Sequence, residues 1–397
     1  MVSDIPGSKS ILQRLMVLLA HARGNICIRN YNPCNDVLEL EAALKVFGFQ
    51  VSKSEEEISF RFSEQAHRQS KHHYHFEASA TAFRLWLSVM SNQPGISSQI
   101  HVSRILLDRG ILPLCEALKD LGGEIRMQDT TIFIDGAELK GGDLSISANL
   151  SSQYASSLML AAPFMQEPLS LKPDAVQVSV PYLKLSADML SSFGAKVEHD
   201  EACFRIQRAG FALSQEFEVD SDLSTAAFYA VQAVLGNQVR ELRLTLHPNY
   251  HQPDMRIWSI LKAMGARIET EGLLYRVYPS EMQGIELDLT DNPDLMPVLC
   301  IAALFCSGSM RLRGIGRLIY KESNRVQGIC RALDQLSAKY KLEDDAIQVW
   351  PLVNEPLACT LDTQEDHRLV MAFSLLERRF PQVQPSERAS LSKSVPI

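Results

Sequence analysis

The sequence predicts an α/β (α+β) protein of two similar domains, each built from three βαβαββ units. Two series of phrases, which repeat in step along the 397 residues, support this prediction. Each copy is longer than the 20–50-residue repeats of solenoids and is large enough to form a supersecondary block of a layered domain. Six copies divide naturally into two sets of three.

The first series joins the end of a helix to a strand. In each copy an apolar helical phrase ends at a small residue and continues as an alternating run, as in ALKVFGFQV and ALKDLGGEI. Glycine at such a place fits a helix C-cap with positive φ. A polar turn and a second alternating run follow, as in EIRMQDTTIFI, and predict a β-hairpin behind each helix. The small residues, 71 to 74 positions apart, are Gly48, Gly122, Gly194, Gly265 and Ser337.

The second series marks the start of the other helix in each unit. A polar residue precedes an apolar stretch with helical periodicity, and taken singly each such residue is interpreted most simply as an N-cap. If similar units pack around an axis, however, their helix N-termini gather, and positive helix ends attract anions. The six markers, 70 to 73 positions apart, are Ser8, Thr81, Ser152, Ser224, Asp294 and Asp366.

The repeats also predict the domain boundaries. The first three-unit domain covers residues 9–220, and the second combines residues 1–8 with residues 221–397. The first strand is short, and the sixth unit lacks its closing helix and hairpin. We therefore expect this unit to be truncated.

Composition limits the classes of function. The 46% hydrophobic and 22% charged content is that of an ordinary globular protein, and a net charge of −8 offers no basic face for nucleic acid. No apolar run is long enough for a bilayer span, and the first residues of this sequence lack the pattern of a secretory signal. The eight scattered cysteines form no CxxC pair, which favours reduced thiols and argues against zinc. We expect a cytoplasmic protein with no nucleic-acid or membrane partner.

Two short stretches raise the question of a ligand site. HHYH, residues 72–75, suggests metal binding, but no cysteine accompanies it nearby, and we interpret it as a solvated loop. PGSKSILQR places Lys9 and Arg14 at a helix start, where cations are unfavourable unless an anion binds there. Comparable basic residues recur along this acidic chain and predict a positive cleft for a polyanion. They are Lys9, Arg14, Arg84, Arg109, Lys321, Arg325, Arg368 and Lys393.

Four motifs in fixed order make the chain resemble a known family. They are GSKS…R at 7–14, SSQ at 151–153, KESNR at 321–325 and DHR at 366–368. The chain resembles the 5-enolpyruvylshikimate-3-phosphate synthases (3-phosphoshikimate 1-carboxyvinyltransferases) over nearly its whole length. The resemblance implies an inside-out α/β barrel in each domain, with helix N-termini converging on an interdomain cleft.

The resemblance also implies a reaction. The family transfers the enolpyruvyl group of phosphoenolpyruvate to the 5-hydroxyl of shikimate 3-phosphate and releases phosphate, in the biosynthesis of chorismate and aromatic amino acids. By resemblance, the shikimate 3-phosphate ligands are Lys9, Ser10, Arg14, Ser151, Ser152, Gln153, Ser179, Asp294 and Lys321. Those of phosphoenolpyruvate are Lys9, Arg109, Gln153, Arg325, Arg368 and Lys393. We expect no cofactor and no metal, and a monomer.

The resemblance assigns the proton transfers to two carboxylates, beside the catalytic cation Lys9. Asp294 would take the proton of the attacking hydroxyl, and Glu322 would exchange a proton with the methylene carbon. Two carboxylates in different surroundings can divide such roles, because one pKa is raised and the other is not. From the residues alone, Asp294 can equally be an N-cap and Glu322 a solvated i,i+3 partner of Arg325.

Departures from the family leave alternatives open. The loop that usually reads Asn-Ala-Gly-Thr against phosphoenolpyruvate is Ala78-Ser79-Ala80-Thr81 here, and Arg317 replaces an asparagine. The methyl group of Ala80 predicts insensitivity to glyphosate. One alternative is a catalytically silent anion-binding protein on the same scaffold. The other is the enolpyruvyl transferase acting on UDP-N-acetylglucosamine, although residues 101–108 lack its usual cysteine.

Overall fold

The computed structural model describes residues 2–54, 56–67, 71–146, 151–173, 180–200, 203–207 and 210–394. The chain divides into two compact lobes. The first lobe comprises Gly7–Asp220 and His247–His251, and the second comprises Met1–Pro6, Ser221–Leu246 and Gln252–Ile397.

Helices and strands alternate in both lobes. The helices are α1 (Lys9–Ala22), α2 (Asn35–Phe47), α3 (Glu64–His67), α4 (Ala80–Ser91), α5 (Arg104–Asp108), α6 (Leu112–Asp120), α7 (Gln153–Ala161), α8 (Val180–Ser192), α9 (Leu223–Leu235), α10 (Ile257–Ala263), α11 (Met296–Ala303), α12 (Arg325–Gln335) and α13 (His367–Arg379). Short 3-10 turns are Ala162–Phe164, Pro253–Arg256, Pro293–Leu295, Gly316–Tyr320 and Ala389–Lys393.

The strands are short. They are β1 (Val2–Asp4), β2 (Asn25–Arg29), β3 (Phe49–Lys53), β4 (Glu57–Phe62), β5 (Lys71–Phe76), β6 (Ser97–Val102), β7 (Glu124–Gln128), β8 (Thr131–Asp135), β9 (Gly142–Ile146), β10 (Leu169–Pro173), β11 (Lys196–His199), β12 (Phe204–Gln207), β13 (Glu216–Glu218), β14 (Arg240–Arg243), β15 (Ile268–Glu271), β16 (Leu274–Val277), β17 (Met282–Gln283), β18 (Glu286–Asp288), β19 (Cys306–Ser307), β20 (Met310–Arg313), β21 (Tyr340–Glu343), β22 (Ala346–Val349), β23 (Cys359–Leu361) and β24 (Val383–Pro385).

The sheets repeat one topology. Within the described residues, five four-stranded sheets each place a parallel pair beside an antiparallel hairpin, which confirms the βαβαββ unit. Their orders are β13-β2-β4-β3, β5-β6-β8-β7, β9-β10-β12-β11, β1-β14-β16-β15 and β18-β20-β22-β21. In the sixth copy the parallel pair β23-β24 flanks α13, and β17-β19 is a further small pair.

Local sequence signals explain the turns of this repeat. The five small residues that end the second helices all have positive φ, from +53° at Ser337 to +119° at Gly48, as a left-handed C-cap requires. The phrase EIRMQDTTIFI forms the hairpin β7–β8, with Gln128 opposite Thr131. At the start of α1, a side chain on Gly7 would lie 2.0 Å from the carbonyl oxygen of Asn30, so only glycine fits there.

Each lobe has its own apolar core around the first helices of its units. In the first lobe α1, α4 and α7 contact one another, and Ile11, Trp86 and Tyr154 are fully buried. In the second lobe α9, α11 and α13 do the same, and every residue of α11 is buried. None of the helices in the described part of the chain has the length and apolar character needed to cross a membrane.

The prediction that HHYH forms a solvated loop is wrong. These residues lie in β5, parallel to β6, with His72 and Tyr74 buried and His73 and His75 exposed. The alternation is that of a strand with one face on the core. Histidine is counted as a polar residue in a sequence pattern, yet its ring is readily buried when neutral. The alternation of buried and exposed positions was therefore not recognised in the sequence.

Candidate functional site

The start of α1 places a cation of the protein, Lys9, at the positive end of the helix. Ser8 is the N-cap, but its side chain accepts no hydrogen bond from the first turn, which contains no acidic residue. Lys9 begins the helix, and its Nζ lies 2.9 Å from Oδ2 of Asp36 on α2. Ser10 follows and is half-buried. An external anion would therefore be stabilised here by both the amides and the ammonium group.

Arg14 is fixed inside the first lobe. Its guanidinium donates to the hydroxyls of Ser186 and Ser156, at 2.9 and 3.3 Å, and to the carbonyls of Ser10 and Tyr182. Burial lowers its pKa to about 10. Four of its five N–H donors are thus used within the lobe, so Arg14 organises the surrounding hydroxyls at least as much as it could bind a ligand.

Arg84 connects the predicted ligands of the first lobe. Its Nη1 donates to Oε1 of Gln153 at 2.7 Å and to Oγ of Ser151 at 3.3 Å, and its Nη2 donates to the carbonyl of Arg109 at 2.7 Å. Burial lowers the pKa of Arg84 to about 10. Gln153 also donates to the hydroxyl of Thr81 at 2.7 Å. The structure therefore brings the SSQ motif and Arg109 together through a residue that the ligand assignment omitted.

The altered loop lies at the start of α4. Ser79 is the N-cap, and its Oγ accepts from the amide of Ala82 and from Nε2 of Gln13. Ala80 is 3% exposed and packs in the apolar core of the first lobe. The carboxylate of Glu39 accepts from the backbone amides of Glu77, Ala78 and Ser79. The loop is thus fixed by two helices, through Gln13 of α1 and Glu39 of α2.

In the second lobe a buried ion network surrounds Arg325, the first residue of α12. Its Nε and Nη2 donate to the two oxygens of Asp366 at 2.7 and 3.2 Å, and its Nη1 donates to Oδ1 of Asp294 at 2.6 Å. Burial alone lowers the pKa of Arg325, but the two carboxylates outweigh it and raise the pKa. The guanidinium is therefore charged, with both carboxylates beside it.

Asp294 does not act as an N-cap of α11. It lies in the turn Pro293–Leu295, with Nζ of Lys321 at 3.4 Å from its Oδ1. Burial raises the pKa of Asp294, but Lys321 and Arg325 more than offset this and lower it overall. Burial in turn lowers the pKa of Lys321 despite the nearby carboxylate. Asp294 is thus an ionised acceptor at neutral pH.

Glu322 pairs with a histidine instead of with Arg325, so the solvated i,i+3 pair is not formed. Its Oε2 lies 2.7 Å from Nδ1 of His367, which is 2% exposed. Among the described residues, the potential metal ligands Glu322, Asp366 and His367 have donor atoms within 4.8 Å of one another. Asp366 already binds Arg325 with both oxygens, so a cation there would have to displace the guanidinium.

Arg368 is a second buried arginine of the second lobe, and like Arg84 it has a guanidinium nitrogen without a hydrogen-bond partner among the described residues. It is 4% exposed, near the start of α13, and lies over the ring of Phe228 at 5.8 Å. Within the described part of the chain, its Nη1 has no hydrogen-bond partner. A buried guanidinium donor is costly to leave without an acceptor.

Lys393, in the last 3-10 turn, donates to the carbonyl of Glu365 at 3.3 Å.

Sequence reasoning missed several residues of this network. Asp366 was noted only as a helix-start marker and as part of the DHR motif, and Asp254 was not considered. Asp254 is buried, accepts a short hydrogen bond from Ser224, and has its pKa raised to about 6 by burial and by Asp294. Arg317, in place of the family's asparagine, donates to the carbonyl of Thr290 at 2.7 Å. Ser179, a predicted ligand, lies outside the described residues.

The comparisons with known proteins agree with the motifs. The chain matches the family described as EPSP synthase (3-phosphoshikimate 1-carboxyvinyltransferase) over residues 2–396. It is 29% identical over 397 residues to the 3-phosphoshikimate 1-carboxyvinyltransferase of Dehalococcoides mccartyi, covering 99% of this chain and 92% of that relative. The protein of the same name from Methanosphaerula palustris is 30% identical over 407 residues, covering 98% of this chain and 93% of that relative.

Solved structures share the fold. The EPSP synthase of Acinetobacter baumannii has a TM-score of 0.82 at 21% identity, covering 100% of this chain and 93% of its own. The enolpyruvyl transferase NikO of Streptomyces tendae has a TM-score of 0.71 at 14% identity, covering 100% and 92%. At such identities these structures show the fold alone, and they confirm the predicted enolpyruvyl transferase-like fold. Because the family match spans nearly every residue, the chain belongs to the EPSP synthase (3-phosphoshikimate 1-carboxyvinyltransferase) family.

Proposed function

We propose that this chain transfers the enolpyruvyl group of phosphoenolpyruvate to the 5-hydroxyl of shikimate 3-phosphate. In the addition, the 5-oxygen bonds to C2 of phosphoenolpyruvate while a proton adds to C3. In the elimination, the C2–O bond to phosphate breaks and C3 returns a proton. The products are 5-enolpyruvylshikimate 3-phosphate and inorganic phosphate. The step belongs to the shikimate pathway of chorismate and aromatic amino acid biosynthesis.

One observation supports this function most strongly. Four of the proposed ligand residues lie at or next to the N-terminus of a first helix of their units: Lys9 at α1, Gln153 at α7, Asp294 just before α11, and Arg368 at α13. Helix N-termini with adjacent cations favour phosphates and carboxylates. Arg368 adds a buried donor that lacks an acceptor among the described residues, as an anion-binding residue would before its ligand arrives.

We assign the ligands as the resemblance implies. Shikimate 3-phosphate is bound by Lys9, Ser10, Arg14, Ser151, Ser152, Gln153, Ser179, Asp294 and Lys321. Phosphoenolpyruvate is bound by Lys9, Arg109, Gln153, Arg325, Arg368 and Lys393. The planar forks of Arg109, Arg325 and Arg368 suit its carboxylate and phosphate groups.

The two proton transfers are assigned to carboxylates in different surroundings. Asp294, ionised between Lys321 and Arg325, accepts the hydrogen of the 5-hydroxyl and aligns its oxygen. Glu322 exchanges the proton at C3, and His367 at 2.7 Å orients its carboxyl group. Separating the acid from the base in this way allows addition and elimination to use the same groups in opposite directions.

Phosphate release tests the proposal. The purified chain is mixed with both substrates, and inorganic phosphate and the enolpyruvyl product are measured together. We expect equal amounts of the two, and no phosphate when either substrate is omitted. Binding of both anions without product would support the catalytically silent alternative. Turnover with UDP-N-acetylglucosamine in place of shikimate 3-phosphate would support the second alternative, the enolpyruvyl transferase acting on that sugar nucleotide. The family match does not favour this alternative.

We also propose that the protein acts as a monomer in the cytoplasm. All eight cysteines are free thiols in the structure, as expected for a reducing compartment. Light scattering with and without reductant tests the oligomeric state, and a dimer at micromolar concentration would contradict the proposed monomer.

Glyphosate sensitivity is expected to depend on Ala80. The family's glycine lets the backbone approach phosphoenolpyruvate closely, and we propose that the methyl group of Ala80 narrows that approach. We expect weak inhibition of the native chain and stronger inhibition of Ala80→Gly at matched phosphoenolpyruvate saturation. Ala82→Gly, also buried in α4, is the control, since each change costs about 1 kcal/mol of helix propensity. Equal inhibition constants for the native and Ala80→Gly proteins would refute the steric explanation.

A further inference from the structure

Glu39 makes an unusual set of contacts with the loop before α4. It lies on α2, and its Oε1 accepts from the amides of Glu77 at 3.0 Å and Ala78 at 2.7 Å, while its Oε2 accepts from the amide of Ser79 at 3.0 Å. Three successive amides thus point at one carboxylate. Successive amides of this kind normally form a concave site for an anion, and here the protein supplies the anion itself.

The same loop is connected to two proposed ligand residues. Oγ of Ser79 accepts from Nε2 of Gln13 at 2.9 Å, and that amide group also donates to the carbonyl of Asp36 at 3.1 Å. The side chain of Asp36 in turn binds Lys9. On the other side, the hydroxyl of Thr81 accepts from Gln153. A shift of the loop would therefore reach both Lys9 and Gln153.

We propose that Glu39 is a positioning residue, which sets the conformation of residues 77–81 and thereby the affinity for phosphoenolpyruvate. The inference rests on the proposed function and deepens it. Lys9 and Gln153, the two residues connected to the loop, are assigned to both substrates, so a shift of the loop affects the binding of each. The family's counterpart of this loop lies against phosphoenolpyruvate, so we expect the larger effect on phosphoenolpyruvate and a smaller one on shikimate 3-phosphate.

The direction in which the KM for phosphoenolpyruvate changes distinguishes a positioning role of Glu39 from simple electrostatic repulsion. A negative charge near an anion site weakens binding by repulsion, so neutralising it would lower the KM for phosphoenolpyruvate. If instead Glu39 holds the loop, Glu39→Gln replaces an oxygen acceptor by an NH2 group that faces backbone N–H groups, and at least one of the three hydrogen bonds is lost. The loop is then released and the KM rises.

The test compares Glu39→Gln with the native chain and with Glu116→Gln, the same change at an exposed glutamate of α6. For Glu39→Gln we expect the KM for phosphoenolpyruvate to rise about tenfold, as loss of a hydrogen bond to a charged group would produce. The KM for shikimate 3-phosphate and kcat should stay within about twofold. A lower or unchanged KM for phosphoenolpyruvate would overturn the proposal, as would a parallel loss in all three parameters with a large fall in Tm.

A second measurement does not depend on activity. Amide hydrogen exchange at residues 77–79 should be about tenfold faster in Glu39→Gln than in the native chain or Glu116→Gln. Unchanged exchange would overturn the positioning role even if the enzyme is active. An inactive native chain with faster exchange in the variant would instead contradict the proposed function while supporting the role of Glu39 in the loop.

Discussion

Lys9→Ala is expected to lower kcat by about 1000-fold and to weaken binding of both substrates. Lys9 lies at the positive end of α1, whose first turn contains no acidic residue, and its ion-pair partner Asp36 lies on α2. Such a placement is favourable when an anion binds, and removing one preorganised charge or donor from a reacting centre costs about 10²–10³ in rate. Asp36, left without its partner, would also repel an incoming anion.

Steady-state phosphate release and isothermal titration with shikimate 3-phosphate provide the measurement. Lys45→Ala is the matched control: the Lys45 side chain is half exposed and pairs with the buried carboxylate of Glu41 on α2, which keeps Lys53 and Tyr31 as partners, so the change should alter neither rate nor affinity appreciably. If Lys9→Ala turns over and binds shikimate 3-phosphate as the native chain does, the assignment of the α1 terminus as a ligand site is wrong.

Asp366→Asn is expected to lower the free energy of unfolding by about 3 kcal/mol and to remove most activity. Asp366 is fully buried, binds Arg325 with both oxygens, and also accepts from Ser323 and from the amide of Arg368. Removing one partner of a buried ion pair leaves a poorly compensated charge, and this costs about 3–5 kcal/mol. Arg325, still held by Asp294, moderates the loss but is no longer correctly oriented.

Urea unfolding of the two proteins between pH 3 and pH 7 checks this prediction. Burial raises the pKa of Asp366, but Arg325 outweighs it and lowers the pKa overall. Its stabilising contribution is therefore present above the ordinary carboxyl pKa and is lost as the pH falls through the lowered value. The stability difference from Asp366→Asn should shrink towards acid. Asp362→Asn, at an exposed aspartate facing Arg331, should show neither the loss nor this pH dependence.

Local signals predicted most of the fold. Each C-cap and each hairpin depends on a few adjacent residues, so Gly48 and the phrase EIRMQDTTIFI could be interpreted without tertiary structure. The candidate site was only partly predictable. Arg84 and Asp254 act through partners distant in the chain: Arg84 was placed in the basic set but given no ligand role, and nothing beside Asp254 distinguishes it from an ordinary polar position. Likewise, the residues alone left open a solvated pair between Glu322 and its neighbour Arg325, whereas the fold supplies His367, 45 positions away.

The pairing of β1 with β14 has a consequence for biosynthesis. Val2–Asp4 is made long before its partner strand, which begins at Arg240. Likewise β2 acquires its parallel neighbour only when Glu216–Glu218 has been made. During translation the first lobe therefore holds an incomplete sheet until more than half of the chain has left the ribosome, and the N-terminal segment stays unpaired still longer. Unpaired strand edges promote intermolecular pairing, so this connectivity exposes nascent chains to aggregation, and chaperones that shield the unpaired edges of β1 and β2 would raise the yield.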